Sequence, residues 1–590
     1  MSEATESEQK VKIAIIGGGI TGLYCALRYR GTGEVVVFER MGQFGGRICS
    51  KAYGTGSQPE FLAEFGPMRI EPDQQHLLKE LLRDLKIVDK DDSSTDAAAR
   101  LTDFPAYASP PSLNEPTFLL SGDESTQATP LDLLQLAFVR IMGRLAVTDP
   151  DPDNPTPQQK AFERCIAKGQ HELMLAAATK QTTWKGAFGR WVDKLEEKHY
   201  YLITANAAFE YDDGDRVPLW TMGFWNLMTE VLSHQAVSKL RTQGSFYHLL
   251  DENPNAAEWL IFWLRGLKST NKLHGIDRGM AHMITLMSRQ LEAHPNLLRK
   301  TAQLRSLKPE GHHIRLCFSG HCDVLAEHVI LTVPKSPLEK IVAASAQYFP
   351  GSIQKHIDGV FPFPMIKLFF IVRKRWWEED RAANYKATSI PTRELHYFPS
   401  KDEKSKRGMI MIYADRPSSN FWANYVSRPG HQDEVEWKSV SWADLKSKVG
   451  KPADTLEDSV QTRRLLRRLA QYVRDNAHES FREDEIEHIG IRDWGREPFG
   501  GANHAWRPER KPWEELQALS SFSLCDPAAS DEQRARVHIC GEAYSDYHGF
   551  IEGSLRSAAH VLHKIDPSHQ TQTPWSCDCQ DCIKTVREYT

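Results

Sequence analysis

The sequence of 590 residues has no long apolar run, no excess of one charge and few cysteines. A membrane-spanning helix needs about 20 apolar residues, so none is expected. Residues 1–10 are polar and lack the apolar core of a signal peptide, which favours a cytoplasmic enzyme. The formal net charge is −5, whereas nucleic-acid binding requires a strong basic excess. The sequence thus predicts neither a membrane partner nor a nucleic-acid partner.

Ten cysteines are too few and too scattered for a disulfide-stapled domain. Most of them lie beside apolar residues and are expected to be inert buried thiols. Cys577, Cys579 and Cys582 lie together in the C-terminal tail, at a spacing that could hold a soft metal such as zinc. Because no fourth ligand is identifiable, we interpret the tail as a flexible, oxidisable extension and predict no metal site.

A glycine-rich turn lies between two β-branched runs near the N-terminus. Residues 10–16 predict a strand, Gly17-x-Gly19-x-x-Gly22 a tight turn, residues 23–29 a helix, and residues 33–39 a second strand that ends in Glu39. Glycines permit close backbone approach where a helix N-terminus faces a pyrophosphate, and the acid can accept from a ribose hydroxyl. The segment therefore predicts a βαβ unit that binds a dinucleotide.

Two further strings indicate which dinucleotide binds. Phe44-Gly-Gly-Arg47 closely follows Glu39, and Val537-His-Ile-Cys-Gly-Glu542 lies far downstream. With the glycine turn, they make the chain resemble the flavin amine oxidase superfamily. Ile276-Asp-Arg-Gly-Met280 resembles a family Gly-Gly-Met element, with Arg278 in place of a glycine. The resemblance implies non-covalent FAD, bound by Gly17, Gly19, Gly22, Glu39, Arg40, Gly46, Arg47, Met68, Arg69, Leu304, Gly541, Glu542, Gly549, Phe550 and Ile551.

Glu64-Phe-Gly-Pro-Met-Arg69 is the most specific string and resembles an element of the L-amino-acid oxidases in that superfamily. The resemblance implies that Arg69 pairs with the substrate α-carboxylate, a task that suits the planar donor fork of arginine. It also implies that Lys367 is a catalytic residue that holds a water against the flavin. Further matches imply substrate contacts from Tyr413, Trp494, Ala502, Gly549 and Phe550. A structural salt bridge for Arg69 and a core position for Tyr413 are the alternatives.

Two residues bear on which amino acid binds. Asp415 follows Tyr413 by two positions and would share its face if the strand continues, and Ala502 leaves room for a long side chain. A carboxylate in the pocket would pair with a guanidinium or ammonium, so the sequence favours L-arginine or L-lysine. Alternatively, Asp415 caps a turn or pairs with Arg416, and the substrates are hydrophobic or aromatic.

The fold class predicted for the whole chain is α/β, with a Rossmann-like FAD-binding domain, a mixed-sheet substrate domain and a helical domain. Strand patterns lie at residues 313–318, 328–334, 366–372 and 409–413, helical patterns at 131–267 and 456–475, and irregular patterns at 92–130 and 148–157. The predicted FAD-binding domain comprises residues 10–75, 271–335 and 490–565, and the substrate domain residues 76–130 and 336–489. Residues 131–270 form the predicted helical domain, and residues 566–590 the tail.

The resemblance implies an FAD-dependent L-amino-acid oxidase, which uses O2 to convert an amino acid into a 2-oxo acid, ammonia and hydrogen peroxide. An amino-acid 2-monooxygenase or a dehydrogenase stays open, as does a non-catalytic flavoprotein that serves as an interaction module. A homodimer is the usual expectation for a soluble oligomer.

Overall fold

The structure is a computed structural model that describes most of the chain. The described residues are 9–29, 35–54, 59–104, 118–119, 125–126, 130–148, short pieces between 160 and 170, 184–243, 252–268, 272–294, 297–377, 385–387, 394–425, 435–449, 456–476, 479–525 and 536–569. Within these ranges, no helix is both long enough and apolar enough to cross a membrane.

The strands are β1 (Gln9–Ile16), β2 (Val35–Phe38), β3 (Ser50–Tyr53), β4 (Phe61–Glu64), β5 (Ile87–Val88), β6 (Ala99–Asp103), β7 (Phe118–Leu119), β8 (Ser125–Thr126), β9 (Leu145–Val147), β10 (Ala207–Glu210), β11 (Arg216–Pro218), β12 (His274–Ile276), β13 (Leu298–Arg299), β14 (Gln303–Glu310), β15 (His313–Ser319), β16 (Val324–Leu331), β17 (Val360–Phe363), β18 (Ile366–Val372), β19 (Tyr385–Ala387), β20 (Glu394–Pro399), β21 (Gly408–Ala414), β22 (Glu436–Ser439), β23 (Ile486–Asp493), β24 (Asn503–Trp506), β25 (Phe522–Ser523) and β26 (Arg536–Ile539).

The helices are α1 (Ile20–Tyr29), α2 (His76–Asp84), α3 (Pro130–Gly143), α4 (Trp184–Asp193), α5 (Glu197–Asn206), α6 (Phe224–Val231), α7 (His234–Gln243), α8 (Ala256–Gly266), α9 (Ala281–Glu292), α10 (Lys335–Ala344), α11 (Gly351–Ile357), α12 (Ser418–Ala423), α13 (Trp442–Ser447), α14 (Leu456–Asn476), α15 (Pro512–Ser520) and α16 (Ile551–Ile565).

An eight-stranded sheet, which we call the nucleotide sheet, contains the predicted βαβ unit. Its path is β13-β2-β1-β16-β15-β14, with β26 beside β16 and β25 beside β26. Strands β13, β2, β1, β16 and β26 pair in parallel, whereas β14 and β15 form an antiparallel hairpin. The order β1, α1, β2 confirms the predicted strand, turn, helix and strand.

Alternate residues of β1 enter apolar cores on opposite faces of this sheet. Ile13 and Ile15 pack with α1, α9 and α16, whereas Ala14 and Ile16 pack with β14, β15 and α10. Parallel strands that are buried on both faces have continuous apolar sequences, as β1 and β2 do. The strands of the sheet come from three separate parts of the chain, while the exact domain boundaries stay a prediction.

A six-stranded antiparallel sheet, the substrate sheet, has the order β19-β20-β21-β18-β23-β22. All of β18 is buried because it lies between β21 and β23. Ile366 and Leu368 face the long helix α14, whereas Phe369 and Ile371 face Phe65, the residue that directly follows β4. Since side chains alternate along a strand, Lys367 shares the second face.

The predicted helical region contains α3 to α8 and a small sheet, β9-β10-β11, that the sequence patterns did not indicate. The apolar stretch Phe224 to Leu240 forms two helices, since Leu232 adopts an extended backbone. Ser233 then caps α7, its Oγ accepting from the backbone N–H of Ala236 at 3.2 Å.

Part of the stretch 92–130, expected to be irregular, is a strand: β6 pairs with β5 and β12. Alternating burial of Ala99 and Leu101 explains why this short strand forms beside the nucleotide sheet's helices. Residues 149–157 of the predicted irregular segment, and the cysteine tail from residue 570, lie outside the described residues.

Candidate active site

Several turns that follow parallel strands meet at one edge of the nucleotide sheet. β1 continues into Gly17, β2 into Glu39 and β16 into Thr332, and β26 leads to Glu542. All four residues line one cavity. Ligands of open α/β sheets bind outside the carboxyl ends of the parallel strands. The cavity therefore lies where the βαβ prediction places a dinucleotide.

This cavity contains about 1580 Å³ of space free of protein atoms, part of it open to solvent. The predicted site residues that line it are Gly17, Gly19, Glu39, Arg40, Gly46, Arg47, Met68, Arg69, Lys367, Tyr413, Trp494, Ala502, Glu542, Gly549, Phe550 and Ile551. Gly22, Leu304, Asp415 and Gly541 do not line it.

The shape of the first turn requires two of its glycines. Gly17 has a φ of +112°, and a Cβ there would lie 2.7 Å from Thr332 Oγ1. A Cβ on Gly22 would lie 2.0 Å from the carbonyl oxygen of Gly17, so Gly22 shapes the turn from behind the cavity. The turn can thus present bare backbone to a phosphate at the N-terminus of α1.

Glu39 stabilises the turn as well as lining the cavity. Its carboxylate accepts from the backbone N–H groups of Gly18 at 2.6 Å and Met41 at 2.8 Å. Burial raises the pKa of Glu39, an effect that the two backbone donors oppose. The predicted ribose contact would use the lone pairs that these bonds leave available.

Glu542 joins the predicted cofactor residues to the predicted substrate residues. Its Oε1 accepts from the backbone N–H groups of His504 at 2.9 Å and Gly549 at 3.0 Å. Its Oε2 accepts from Arg47 Nη1 at 2.8 Å and His504 Nδ1 at 2.9 Å. These bonds match the acceptor capacity of an ionised carboxylate. One side chain thus fixes Arg47 and the Gly549 turn relative to each other.

The surroundings determine the charges in this cluster. Burial alone would raise the pKa of Glu542, but the adjacent Arg47 guanidinium holds that pKa below its ordinary range. Burial lowers the pKa of the fully buried His504. Glu542 is therefore ionised, and a neutral His504 carries its proton on Nδ1.

Two side chains hold the segment that carries Arg69. Lys367 Nζ donates to the carbonyl oxygens of Glu64 at 3.0 Å and Gly66 at 2.5 Å. Trp494 Nε1 donates to the intervening carbonyl oxygen at 2.7 Å. Lys367 is only 2% exposed, and the backbone oxygens stabilise its buried ammonium group. Lys367 thus positions the Arg69 segment, whatever its role beside the cofactor.

Gly66 packs directly against the cofactor side of the cavity. A Cβ on Gly66 would lie 2.0 Å from the carbonyl oxygen of Arg47, so only glycine fits there. Three residues later, the half-buried Arg69 lines the cavity, with its Cζ 5.9 Å from the centroid of the Phe104 ring. A guanidinium in a partly dry cavity suits bidentate binding of a carboxylate.

The wall formed by the substrate sheet is aromatic and cationic. Tyr413 lies opposite Lys367 on the neighbouring strand, and Lys367 Nζ is 4.5 Å from the tyrosine ring centroid. Arg492 flanks Lys367 on the other side, with its guanidinium 4.6 Å from the Trp494 ring and 5.2 Å from the Phe499 ring. Such contacts stabilise cations away from water.

Sequence reasoning missed Asn503 and Phe262. Asn503 lines the cavity, and its Oδ1 is shielded from solvent and has no hydrogen-bond partner among the described residues. Gly549 has a φ of +79°, and a Cβ there would lie 3.3 Å from Asn503 Nδ2 and 3.7 Å from the Phe262 ring. The sequence feature that could have indicated Asn503 is its polar side chain directly after the predicted site residue Ala502. No sequence feature indicates Phe262, because the apolar pattern around it is typical of any helix that packs in a core.

Asp415 is placed outside the cavity lining. β21 ends at Ala414, so the strand does not continue as the shared-face argument required. Asp415 is fully buried, and its carbonyl oxygen accepts from Ser419 N at 2.6 Å at the start of α12. Arg416 forms an ion pair with Glu252 at 3.0 Å. This placement agrees with the turn interpretation of Asp415.

Leu304, Gly541 and Cys540 lie behind the lining. Leu304 is buried on β14 beside a register shift, so the FAD contact that the resemblance implies for it stays a prediction. Gly541 donates its N–H to Ser557 Oγ at 2.9 Å. Cys540 is fully buried, and the described residues that line the cavity include no cysteine. Non-covalent binding of FAD stays a prediction.

Arg278, which stands in place of a glycine of the family Gly-Gly-Met element, leaves the adjacent turn intact. Gly279 has a φ of +86°, and Met280 N donates to Glu64 Oε1 at 2.9 Å. Ser50 Oγ donates to the other carboxylate oxygen of Glu64 at 2.6 Å. Burial raises the pKa of Glu64 to about 7, although these donors oppose the shift.

Comparison with known proteins identifies the family. The model for the family described as flavin-containing amine oxidoreductase matches residues 20–561, nearly the whole chain. The chain belongs to this family. Achacin of Lissachatina fulica is 22% identical over 432 residues, which are 72% of this chain and 73% of Achacin.

Solved structures of putrescine oxidase share the fold. A double mutant with redesigned cofactor binding has a TM-score of 0.54 at 16% sequence identity, and the wild type bound to putrescine has 0.52 at 16%. Each alignment covers 94% of this chain and 99% of the putrescine oxidase chain. At this identity the likeness shows the α/β amine oxidase fold alone.

The residues of this flavin-containing amine oxidoreductase fit FAD. The turn of Gly17 and Gly19 is open to a pyrophosphate at the N-terminus of α1, and Arg47 lines the same cavity. Asn503 Oδ1, which has no hydrogen-bond partner among the described residues, leaves a buried acceptor in this lining for a bound molecule. Family membership thus confirms the flavin cofactor and the fold expected from the sequence.

Proposed function

We propose that this flavin-containing amine oxidoreductase is an L-amino-acid oxidase. The observation that carries the proposal is the position of Arg69, which lines the cavity on a segment held at consecutive carbonyl oxygens. A simple amine has no carboxylate for this guanidinium to bind. Because Lys367 and Trp494 fix the segment, less entropy is lost when Arg69 binds and orients the substrate.

In the proposed reaction, an L-amino acid, water and O2 give a 2-oxo acid, ammonium and hydrogen peroxide. Arg69 and Tyr413 bind the α-carboxylate, while the Gly549 carbonyl and Asn503 Oδ1 accept from the α-amino group. FAD, when bound, would supply the acceptor for the two electrons of the C–N oxidation, with O2 as their final acceptor. Glu542 keeps the Gly549 turn in register with Arg47, so substrate and cofactor residues share one rigid frame.

The lining favours an uncharged substrate side chain over the basic one suggested by Asp415. Among the described lining residues the carboxylates are Glu39 and Glu542, and both already accept hydrogen bonds from the protein. A guanidinium or ammonium without a carboxylate partner costs several kcal/mol to bury. Phe65 and Phe550 offer apolar surface instead. We therefore favour hydrophobic or aromatic L-amino acids.

Anaerobic reduction of the flavin tests the proposal. The substrates would be L-leucine, L-phenylalanine, L-arginine, L-lysine, D-phenylalanine, 2-phenylethylamine and putrescine. The expected result is fast bleaching by L-leucine and L-phenylalanine, and slow or no bleaching by the D-enantiomer and the amines. Bleaching by L-arginine and L-lysine alone would overturn the argument about the side chain. Bleaching by the amines alone would overturn the role of Arg69.

Product analysis then separates the oxidase from its alternatives. A 2-oxo acid with hydrogen peroxide in equal amounts is the expected result. An amide product would indicate the monooxygenase, and reduced flavin that persists in air would indicate a dehydrogenase. If no amino acid or amine bleaches the flavin, the chain is a non-catalytic flavoprotein.

A further inference from the structure

A second cavity lies beside the cofactor cavity, between α9 and the substrate sheet. It contains about 1130 Å³ of space free of protein atoms, part of it open to solvent. The loop of residues 41–51 and α9 form one side, and β23 with the turn that follows forms the other. Both cavities share the wall residues Met41, Gly46, Ile48, Trp494 and Phe499.

Positive charge predominates in the lining of this second cavity. Lys51, Arg289, Lys300 and Arg492 line it, and Glu292 is the one carboxylate among its described lining residues. Within the part of the chain that the structure describes, Lys51, Arg289 and Lys300 form no ion pair. A concave surface with several cations of one sign concentrates the positive potential. We call this site the cationic cavity.

The groups that line the cationic cavity also offer hydrogen-bond capacity. Lys300 Nζ lies 4.9 Å from the centroid of the Phe44 ring, a contact that uses none of its N–H donors. Ser288 Oγ, on α9, is shielded from solvent and has no partner among the described residues. A buried hydroxyl without a partner is rare in a folded protein and indicates a missing donor or acceptor. Cations and an unused hydroxyl together match the chemistry of an oxyanion.

The wall shared with the cofactor cavity connects the two sites. Arg492 is 5% exposed and lies in the cationic cavity, and its guanidinium packs on Trp494 and Phe499. These two aromatic residues line the cofactor cavity on their other side. An anion beside Arg492 would therefore change the potential next to the flavin.

We propose that the cationic cavity binds a multiply charged oxyanion, such as a phosphate or a polycarboxylate. The three cations Lys51, Arg289 and Lys300 against the one carboxylate of Glu292 favour more than one negative charge on the ligand, so a monocarboxylate binds more weakly. Arginine and lysine are the side chains that bind phosphate and carboxylate oxygens in proteins. The proposal needs the flavin of the family as a reporter, but it does not depend on the identity of the amino-acid substrate.

The test is a titration of the holoenzyme with inorganic phosphate, citrate and acetate, each at ionic strength matched with sodium chloride. Flavin absorbance and the thermal denaturation midpoint are measured at each concentration. Phosphate and citrate should change both readouts saturably, and acetate should do so only at much higher concentration. In the double variant Arg289→Gln plus Lys300→Gln, phosphate should bind at least about tenfold more weakly.

Two control variants locate the binding. Arg83→Gln plus Lys308→Gln removes the same charge from exposed positions on α2 and β14 and should leave phosphate binding unchanged. Arg69→Gln should also leave it unchanged, since Arg69 lies in the other cavity. The proposal is overturned if sodium chloride alone reproduces the change, if Arg289→Gln plus Lys300→Gln binds phosphate as the wild type does, or if Arg69→Gln abolishes binding.

Discussion

Replacing Glu542 by glutamine tests whether one carboxylate links the cofactor residues to the substrate residues. The glutamine Oε1 can keep the bonds to the backbone N–H groups of His504 and Gly549. Its NH2 group then meets Arg47 Nη1 and His504 Nδ1, which are both donors. His504 can move its proton to Nε2 and accept instead, whereas Arg47 cannot change its role.

The expected cost follows from the ion pair that remains broken. Removing one partner of a buried pair costs about 3–5 kcal/mol, and Arg47 keeps its bond to the Ala502 carbonyl and some exposure. We therefore expect a loss of about 3 kcal/mol in the free energy of unfolding, with weaker retention of FAD. Thermal denaturation and the flavin released on dilution measure the two effects.

Glu497→Gln is the matched control, because Glu497 forms an exposed ion pair with Lys340 at 2.5 Å. Such surface pairs contribute at most about 1 kcal/mol. Acid sensitivity gives a second comparison. Because the pKa of Glu542 is lowered in the folded state, the ionised carboxylate stabilises the fold above about pH 4.5, and this stabilisation is lost as the pH falls. The stability of Glu542→Gln should therefore decrease less on acidification than that of the wild type. Stability and FAD retention equal to those of Glu497→Gln would refute the reasoning.

Three further substitutions test other parts of the site. Gly66→Ala should prevent stable FAD binding, because the new Cβ would lie 2.0 Å from the Arg47 carbonyl oxygen. Gly42→Ala is the control and should behave as wild type, because a Cβ at Gly42 would have no atom within 4 Å. Equal flavin content in the two variants would contradict this reasoning. Glu64 stabilises the folded state more when it is protonated, because its folded pKa of about 7 exceeds the unfolded value of 4.5. Between pH 5 and pH 8 the free energy of unfolding, measured by thermal denaturation, should therefore fall by about 2.5 kcal/mol more in wild type than in Glu64→Gln, and parallel pH profiles would contradict this. Lys367→Met should raise KM, because the bonds that hold the Arg69 segment are lost. It should also slow flavin reoxidation by O2 in stopped-flow measurements, because the ammonium group is lost. An unchanged KM and an unchanged reoxidation rate would show that neither role of Lys367 is correct.

The sequence predicted what short strings encode. The turn of Gly17 to Gly22 and the acid Glu39 lie at a strand end because their types are dictated by local backbone geometry. The string that ends in Arg69 lies on the cavity as its family resemblance implied, although the contact that excludes a side chain at Gly66 is with Arg47, 19 positions earlier. The Gly17 turn depends mainly on local backbone geometry, and the Arg69 string was recognisable because its residue types are unusual together.

Long-range contacts and strand ends were not predictable in the same way. Arg47 and Glu542 are 495 positions apart, and no periodicity marks that pair or the contact of Gly549 with Phe262. The inference from Asp415 depended on one more residue of strand, and the strand stops at Ala414 before the turn that leads into α12. A cytoplasmic location, a dimer and the role of the cysteine tail stay predictions.

The most direct test of the central claim is the kcat/KM of Arg69→Gln for L-phenylalanine and for 2-phenylethylamine, which lacks only the carboxylate. Loss of a charge-assisted, bidentate contact should lower kcat/KM for L-phenylalanine by about 100- to 1,000-fold. Flavin content and the rate with 2-phenylethylamine should not fall, because neither depends on the carboxylate. A kcat/KM for L-phenylalanine within about threefold of wild type would contradict the claim that Arg69 binds the substrate carboxylate.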